Sequence, residues 1–352
     1  MQKLNFASDY VLGAHPAILR ALSATNMEPA SGYGTDAFCE SARQKIRASC
    51  CCTEAAVWFL SGGTQTNQTV LDALLGPCEG VLSADTGHIG GHEAGAIEFT
   101  GHKVIALPHK NGKLTAAAAE GFAKAFYADE NHTHMVFPGA VYVSQPTEYG
   151  TLYSLEELTA LRRVCDAYNM KLYLDGARLA YALGSEQNDV TLPDLARLTH
   201  AFYIGGTKCG ALLGEAVVIP NKDLLPRFFT QMKQHGALLA KGRVLGVQFD
   251  TLFTDGLYIR LGIEAVERAK EMQALFLAAG YREFCPRETN QVFLLLEDRQ
   301  YQALSEKIEM SFWEKPDSTH TAVRLAASWG TTKGDVEKLG EAINESKMKN
   351  EK

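Results

Sequence analysis

Leu172-Tyr173-Leu174-Asp175-Gly176-Ala177-Arg178 is an apolar run that ends on an acid and then turns on a glycine. A buried strand that delivers a carboxylate to its carboxyl end reads as part of an open α/β sheet, whose ligands sit beyond that edge. Outward from it, residues 57–60, 80–83, 104–107, 140–144, 171–175, 201–205 and 216–219 are short β-rich runs separated by helical patterns. That rhythm predicts a largely parallel sheet. Ser154-Leu155-Glu156-Glu157 reads as a capping box, and Leu155, Leu158, Leu161, Val164 and Tyr168 fall on one helical face, as in a crossover helix.

After Gly246 the pattern changes to a long helix over about 257–279 stopped by Gly280, a strand 292–296, a helix from Asp298, a strand 322–327 and a last helix after Thr332. This predicts a smaller α+β unit. The expected division is 1–248, an amino-terminal arm with a large domain, and 249–352, a small domain. The charged end, 347–352, is expected to fray.

The chain has 352 residues, 46% of them hydrophobic, enough for a large core. Its apolar runs fall far short of the ~20 residues of a membrane span, and it shows no charged then apolar leader, so a cytoplasmic protein is expected. The net charge of -7 is spread along the chain with no basic cluster, which argues against nucleic acid. Eight cysteines without a CxxC pair, three of them consecutive at 50–52, suit free thiols in a reducing compartment. His88 and His92 enclose two glycines and find no third ligand, so no metal site is expected.

A carboxylate at the end of a buried strand wants a cationic partner. One candidate for Asp175 is the ring nitrogen of pyridoxal phosphate (PLP), where an ionised acid keeps the pyridinium protonated and the ring an electron sink; the alternative is a helix cap. Further on, Gly205-Gly206-Thr207-Lys208-Cys209-Gly210 exposes a lysine between glycines after a strand. Such an amine forms a Schiff base with an aldehyde when its pKa is lowered; taken alone it is a surface lysine. Ser61-Gly62-Gly63-Thr64-Gln65-Thr66-Asn67-Gln68 follows a strand and opens a helix, as a phosphate cradle does and as many plain turns do. His88, in Asp85-Thr86-Gly87-His88, can cover a ring or take a proton, or be an ordinary loop histidine. Arg324 lies in an otherwise apolar strand, where a substrate carboxylate would satisfy it.

Together these residues resemble the threonine aldolase, or β-eliminating lyase, family of fold-type-I PLP enzymes, over nearly the whole chain. Ser8-Asp9 resembles the family's amino-terminal Ser-Asp, Tyr33-Gly34-Thr35-Asp36 its Tyr-Gly-x-Asp, and Gly63 to Gln68 its Gly-Thr-x-x-Asn-Gln. His88 falls at the stacking histidine, Asp175 to Arg178 at Asp-Gly-Ala-Arg, Lys208 at the Schiff-base lysine and Arg324 at the carboxylate-binding arginine. The resemblance implies an α/β, aspartate-aminotransferase-like architecture. It implies Gly63 and Thr64 at the cofactor phosphate, Gln65 and Arg178 among the other cofactor contacts, His88 on the ring, Asp175 on its nitrogen, and Ser8, Arg178 and Arg324 around the substrate carboxylate. Tyr33 would come from a neighbouring subunit of a homo-oligomer, dimer or tetramer, with Lys241 or Arg243 as a further phosphate contact. The activity implied is cleavage of L-threonine, L-allo-threonine or a related β-hydroxy amino acid to glycine and an aldehyde. Alternatives on the same scaffold are a β-eliminating lyase, an aminotransferase and, more remotely, a non-catalytic PLP-binding oligomer. Three departures stand out: Glu148 in Gln145-Pro146-Thr147-Glu148-Tyr149 where many members carry a histidine, Ala7 and Tyr10 in the arm, and Cys209 after the lysine. Glu148 and His88 are the candidates for the base that takes the β-hydroxyl proton.

Overall fold

The computed structural model describes residues 3–350, with side chains to 347. The arm supplies a two-residue strand, β1 (Leu4–Asn5). Seven strands follow: β2 (Ala56–Leu60), β3 (Glu79–Ala84), β4 (Val104–Leu107), β5 (Phe137–Ser144), β6 (Lys171–Asp175), β7 (Ala201–Gly205) and β8 (Glu215–Ile219). They form one sheet in the order β2-β8-β7-β6-β5-β3-β4. β7, β6, β5, β3 and β4 run parallel, while β8 is antiparallel to both β2 and β7.

The apolar runs are continuous because the sheet is covered on both faces. Successive side chains go to opposite sides, so Leu172 and Leu174 join one core cluster and Tyr173 another. Tyr142 and Tyr203 share the face of Tyr173, and their hydroxyls come to matter below. The capping box at Ser154 and Glu157 forms as read, opening the crossover helix Leu155–Ala167.

The carboxy-terminal part contains β9 (Arg282–Glu283), β10 (Gln291–Glu297), β11 (Ile308–Glu309), β12 (Ser311–Glu314) and β13 (His320–Ala326). Four of these make an antiparallel sheet, β12-β13-β10-β9. It packs with the helix Leu257–Ala278 and the last helix, Lys333–Asn350, around its own core of Met272, Phe276, Val292, Leu294, Val323 and Leu339. The chain leaves the long helix at Gly280 with φ 87°, as a helix stop requires. The expected division between 248 and 249 falls inside a helix, Arg243–Leu252. The arm joins the second core: β1 pairs in parallel with β11, and Phe6 is buried there. The far tip of the end expected to fray, 351–352, lies outside the described residues. No helix among the described residues is long and apolar enough to cross a membrane. All eight cysteines are free thiols.

Candidate active site

The parallel strands and β2 point their carboxyl ends at one edge of the large sheet, and that edge carries a cavity of about 280 Å³. Ser61, Gly63, Thr64, His88, Glu148, Asp175, Arg178 and Lys208 line it. It opens into an outer chamber of about 520 Å³ that shares His88, Glu148, Arg178 and Lys208 and adds Trp313 and Arg324.

Asp175 ends β6 opposite Ser144 of β5. Its Oδ1 accepts from Tyr203 Oη (2.6 Å) and the Ala177 N–H (2.9 Å), and its Oδ2 from Tyr142 Oη (2.7 Å) and Asn67 Nδ2 (3.0 Å). The Ala177 contact is a local turn bond; the other three come from β7, β5 and the helix after β2. Burial alone would raise this carboxyl, but the hydrogen bonds from Tyr203 and Asn67 and the nearby His88 outweigh it and hold it below its ordinary value. The result is a buried anion with no ion-pair partner among the described residues, which suits a cationic ring nitrogen.

Lys208 follows β7 on a turn in which Gly206 and Thr207 both donate to the Gly214 carbonyl, at 3.0 and 3.2 Å. The turn needs glycine at 206, because a Cβ there would sit 2.6 Å from the Gly214 oxygen. Lys208 Nζ has no hydrogen bond or ion pair among the described residues. Burial, then the charge of Arg178, holds the amine below its ordinary value, which favours the neutral nucleophile.

The helix Gly63–Leu74 begins on Gly62, with no side chain capping its first N–H groups. Those free donors, with Ser61 and Thr64 beside them, form a cradle for an anion. Gln65 does not line it: its Oε1 accepts from Ser61 Oγ at 2.6 Å, so it braces the turn from behind.

His88 begins a one-turn helix, His88–Gly91. Its Nδ1 lies 2.7 Å from Glu93 Oε1, which also accepts from Asn67 Nδ2 at 2.7 Å. Glu93, buried and unforeseen, thereby ties the histidine ring to the residue that holds Asp175. Its spacing of five from His88 was the only local signal. The His88 N–H donates to Glu148 Oε1 (3.0 Å), as does Ser144 Oγ (2.8 Å). Burial raises the Glu148 carboxyl above its ordinary range.

Arg178 is gripped by Asp9 through Nε (2.6 Å) and Nη2 (3.0 Å), and Asn290 Nδ2 donates to the same acid at 3.0 Å. Burial works against ionisation of Asp9, but the Arg178 charge prevails and holds it at about 2. This fork leaves Nη1 of Arg178 for a ligand. Ser8, expected at the substrate carboxylate, lines neither chamber, and its buried Oγ has no hydrogen-bond partner. The next residue, Asp9, acts on the site through Arg178 instead. Arg324 faces the outer chamber with only neutral partners: Gln291, the Ala7 carbonyl and Ser311 Oγ. Its Nε is buried without a partner, and burial lowers its pKa to about 10. A charge so placed needs an anion.

Tyr33 lies away from the cavity of its own chain, half exposed under Lys233 Nζ, which is 4.6 Å from the ring centroid. Arg243 is spent on the carbonyls of Thr25 and Glu28, whereas Lys241 is exposed. Among the described residues no cluster of three or more His, Cys, Asp or Glu is set to hold a metal.

An α/β sheet with an activated lysine, a buried unpaired acid and an anion cradle at its carboxyl edge defines a lysine-dependent enzyme of the aminotransferase architecture. The chain belongs to the beta-eliminating lyase family, whose model matches residues 5–309. It is 30% identical over 348 residues, 97% of each chain, to the low specificity L-threonine aldolase of a Pseudomonas species. A solved threonine aldolase from Leishmania major superposes with a TM-score of 0.93 at 40% identity, covering 97% of this chain and 99% of that one. The aspartate aminotransferase of Thermus thermophilus shares the fold, with a TM-score of 0.70 at 15% identity over 98% of this chain and 91% of that one.

Proposed function

We propose that this lyase uses PLP to cleave L-threonine, L-allo-threonine or a related β-hydroxy amino acid to glycine and an aldehyde. The observation that carries the reading is the pairing, in one cavity, of a buried anion without a counter-ion, Asp175, and an amine without a partner, Lys208. PLP bound there supplies an electron sink for the pair released when the Cα–Cβ bond breaks. The residues present fit it: Lys208 for the aldehyde carbon, Asp175 for a protonated ring nitrogen, the free N–H groups at Gly63 and Thr64 for the phosphate, and His88 for a face of the ring.

The rest of the chemistry belongs to the chain. Arg324 and Nη1 of Arg178 would hold the substrate carboxylate, which fixes the amino acid in the cavity and so selects the bond presented for cleavage. Glu148 takes the β-hydroxyl proton, with His88 as its neighbour and Ser144 Oγ as its hydrogen-bond donor. Glu93 steadies the His88 ring. We also read the protein as a cytoplasmic homo-oligomer. Unpaired thiols suit a reducing compartment, and Tyr33 and Lys241, idle in their own chain, are available to a neighbour's site. The exposed Tyr10, Val11 and Leu12 offer apolar surface for that contact.

Incubation with L-threonine and analysis of products tests the reading. Acetaldehyde and glycine in equal amounts are expected; a 2-oxo acid with ammonia would instead make the protein an eliminating enzyme.

A further inference from the structure

Glu215 plays no part in the chemistry above, yet it lines the same cavity. It opens β8, where the antiparallel pairing sets it opposite Leu60 on one side and Gly205 on the other. Leu60 runs into the anion cradle and Gly205 into the Lys208 turn, so Glu215 stands between the two. Its Oε2 accepts from the Gly206 N–H (3.0 Å) and its Oε1 from Thr207 Oγ1 (2.8 Å). It is buried and forms no ion pair among the described residues.

We propose that Glu215 serves the cofactor as a neutral carboxylic acid at the phosphate end of the cavity, so that cofactor binding carries a proton onto this side chain. The inference rests on the PLP reading. A proton on Oε1 could pass its bond to the Thr207 hydroxyl, but one on Oε2 meets only the Gly206 N–H, itself a donor, and so needs an acceptor from whatever fills the cavity that Glu215 lines. A phosphate supplies acceptor oxygens. An ionised Glu215 would instead meet the phosphate charge in a low-dielectric space, at a steep cost. The ionisable groups around it are Lys208 and Cys209 on the turn, Asp175 at the end of β6, Tyr173 and Tyr203 on the strands, and Tyr258 from the long helix. Lys208 is the amine among them, and burial holds it toward its neutral form, so it offers Glu215 little charge to offset ionisation. Burial already lifts the Glu215 carboxyl to about 8 before any ligand enters. The proton comes from solvent: below that value the acid is protonated beforehand, and above it binding must take up one proton per site.

The test uses pyridoxine 5′-phosphate, which lacks the aldehyde and so removes Lys208 condensation from the measurement. Its dissociation constant is measured by calorimetry from about pH 6 to 9.5 for the cofactor-free protein and for Glu215→Gln, with Glu215→Ser as a second variant and circular dichroism as the check on folding. Relative to either variant, wild-type affinity should be unchanged at the acid end and fall about tenfold per pH unit above about 8. Unphosphorylated pyridoxine should show no such difference. A ratio flat across the range, or the same fall with pyridoxine, would overturn the proposal. Failure of both ligands to bind any of the proteins is a separate result: it would remove the PLP reading and this inference with it.

Discussion

At the scale of single residues, Arg324 shows how a site declares its ligand before the ligand is present. The strand that carries it is buried, its partners are neutral and its Nε has none, so the guanidinium is desolvated with no opposite charge paired to it. Arg324→Ala should raise KM for the amino acid about 100-fold, ~3 kcal/mol, with a smaller loss in kcat; a KM that does not move would remove it from the carboxylate site. Glu148 gives the pH dependence. A general base works ionised, and burial raises this carboxyl, so kcat/KM should fall as pH drops through a value above the usual carboxylate range. Glu148→Gln should abolish that acid limb along with most turnover. If the limb survives the substitution, the proton goes elsewhere, with His88 as the first candidate. Asp175 and Lys208 were legible because each is announced locally, by an acid closing an apolar run and by glycines around an amine. Asp9 was legible only as half of the Ser-Asp pair, without its role, and Glu93 and Glu215 were not legible at all. Each looks like a plain loop or strand-edge acid until the fold brings it to Arg178, to His88 and Asn67, or to the lysine turn.

The elements were readable where burial imposes a pattern and opaque where it does not. Runs covered on both faces announce strands but not their direction, and the antiparallel course of β8 had no signal in residues 216–219. β5 starts at Phe137, ahead of the expected residue 140, because Pro138 and Gly139 read as breakers. In the structure Pro138 sits opposite Gly80, where the β3 pairing shifts register. Helix contacts were likewise hidden. A Cβ at Gly262 would run into the Ala180 carbonyl, so the long helix and the helix Leu179–Leu183 meet backbone to backbone. Gly262→Ala should cost about 1–3 kcal/mol in urea unfolding, because the short helix that follows Arg178 must shift. A change near zero would show that the contact relaxes freely.

For the molecule as a whole, the arm is the link between the two cores. Phe6 is sealed in the second core, and three residues later Asp9 clamps Arg178 beside the large sheet. Asn290, at the entry to β10, holds the same acid. Arg178 and Arg324, one from each part, are thus tied through residues 6–9. On the proposed reading, the exposed apolar arm and Tyr33, which lies away from its own chain's cavity, would face a second copy. Sedimentation equilibrium should give a dimer or tetramer, whereas a monomer active at low concentration would deny Tyr33 and Lys241 any part in a neighbour's site. The central claim, that Lys208 holds PLP for carbon–carbon cleavage, is tested most directly by reducing the PLP-loaded protein with borohydride and locating the label by peptide mapping. The cofactor should be found on Lys208, the yellow absorbance should be lost on reduction, and Lys208→Ala should show neither the band nor aldehyde release from L-threonine. Label on another lysine, or a Lys208→Ala protein that keeps both colour and turnover, would contradict the account.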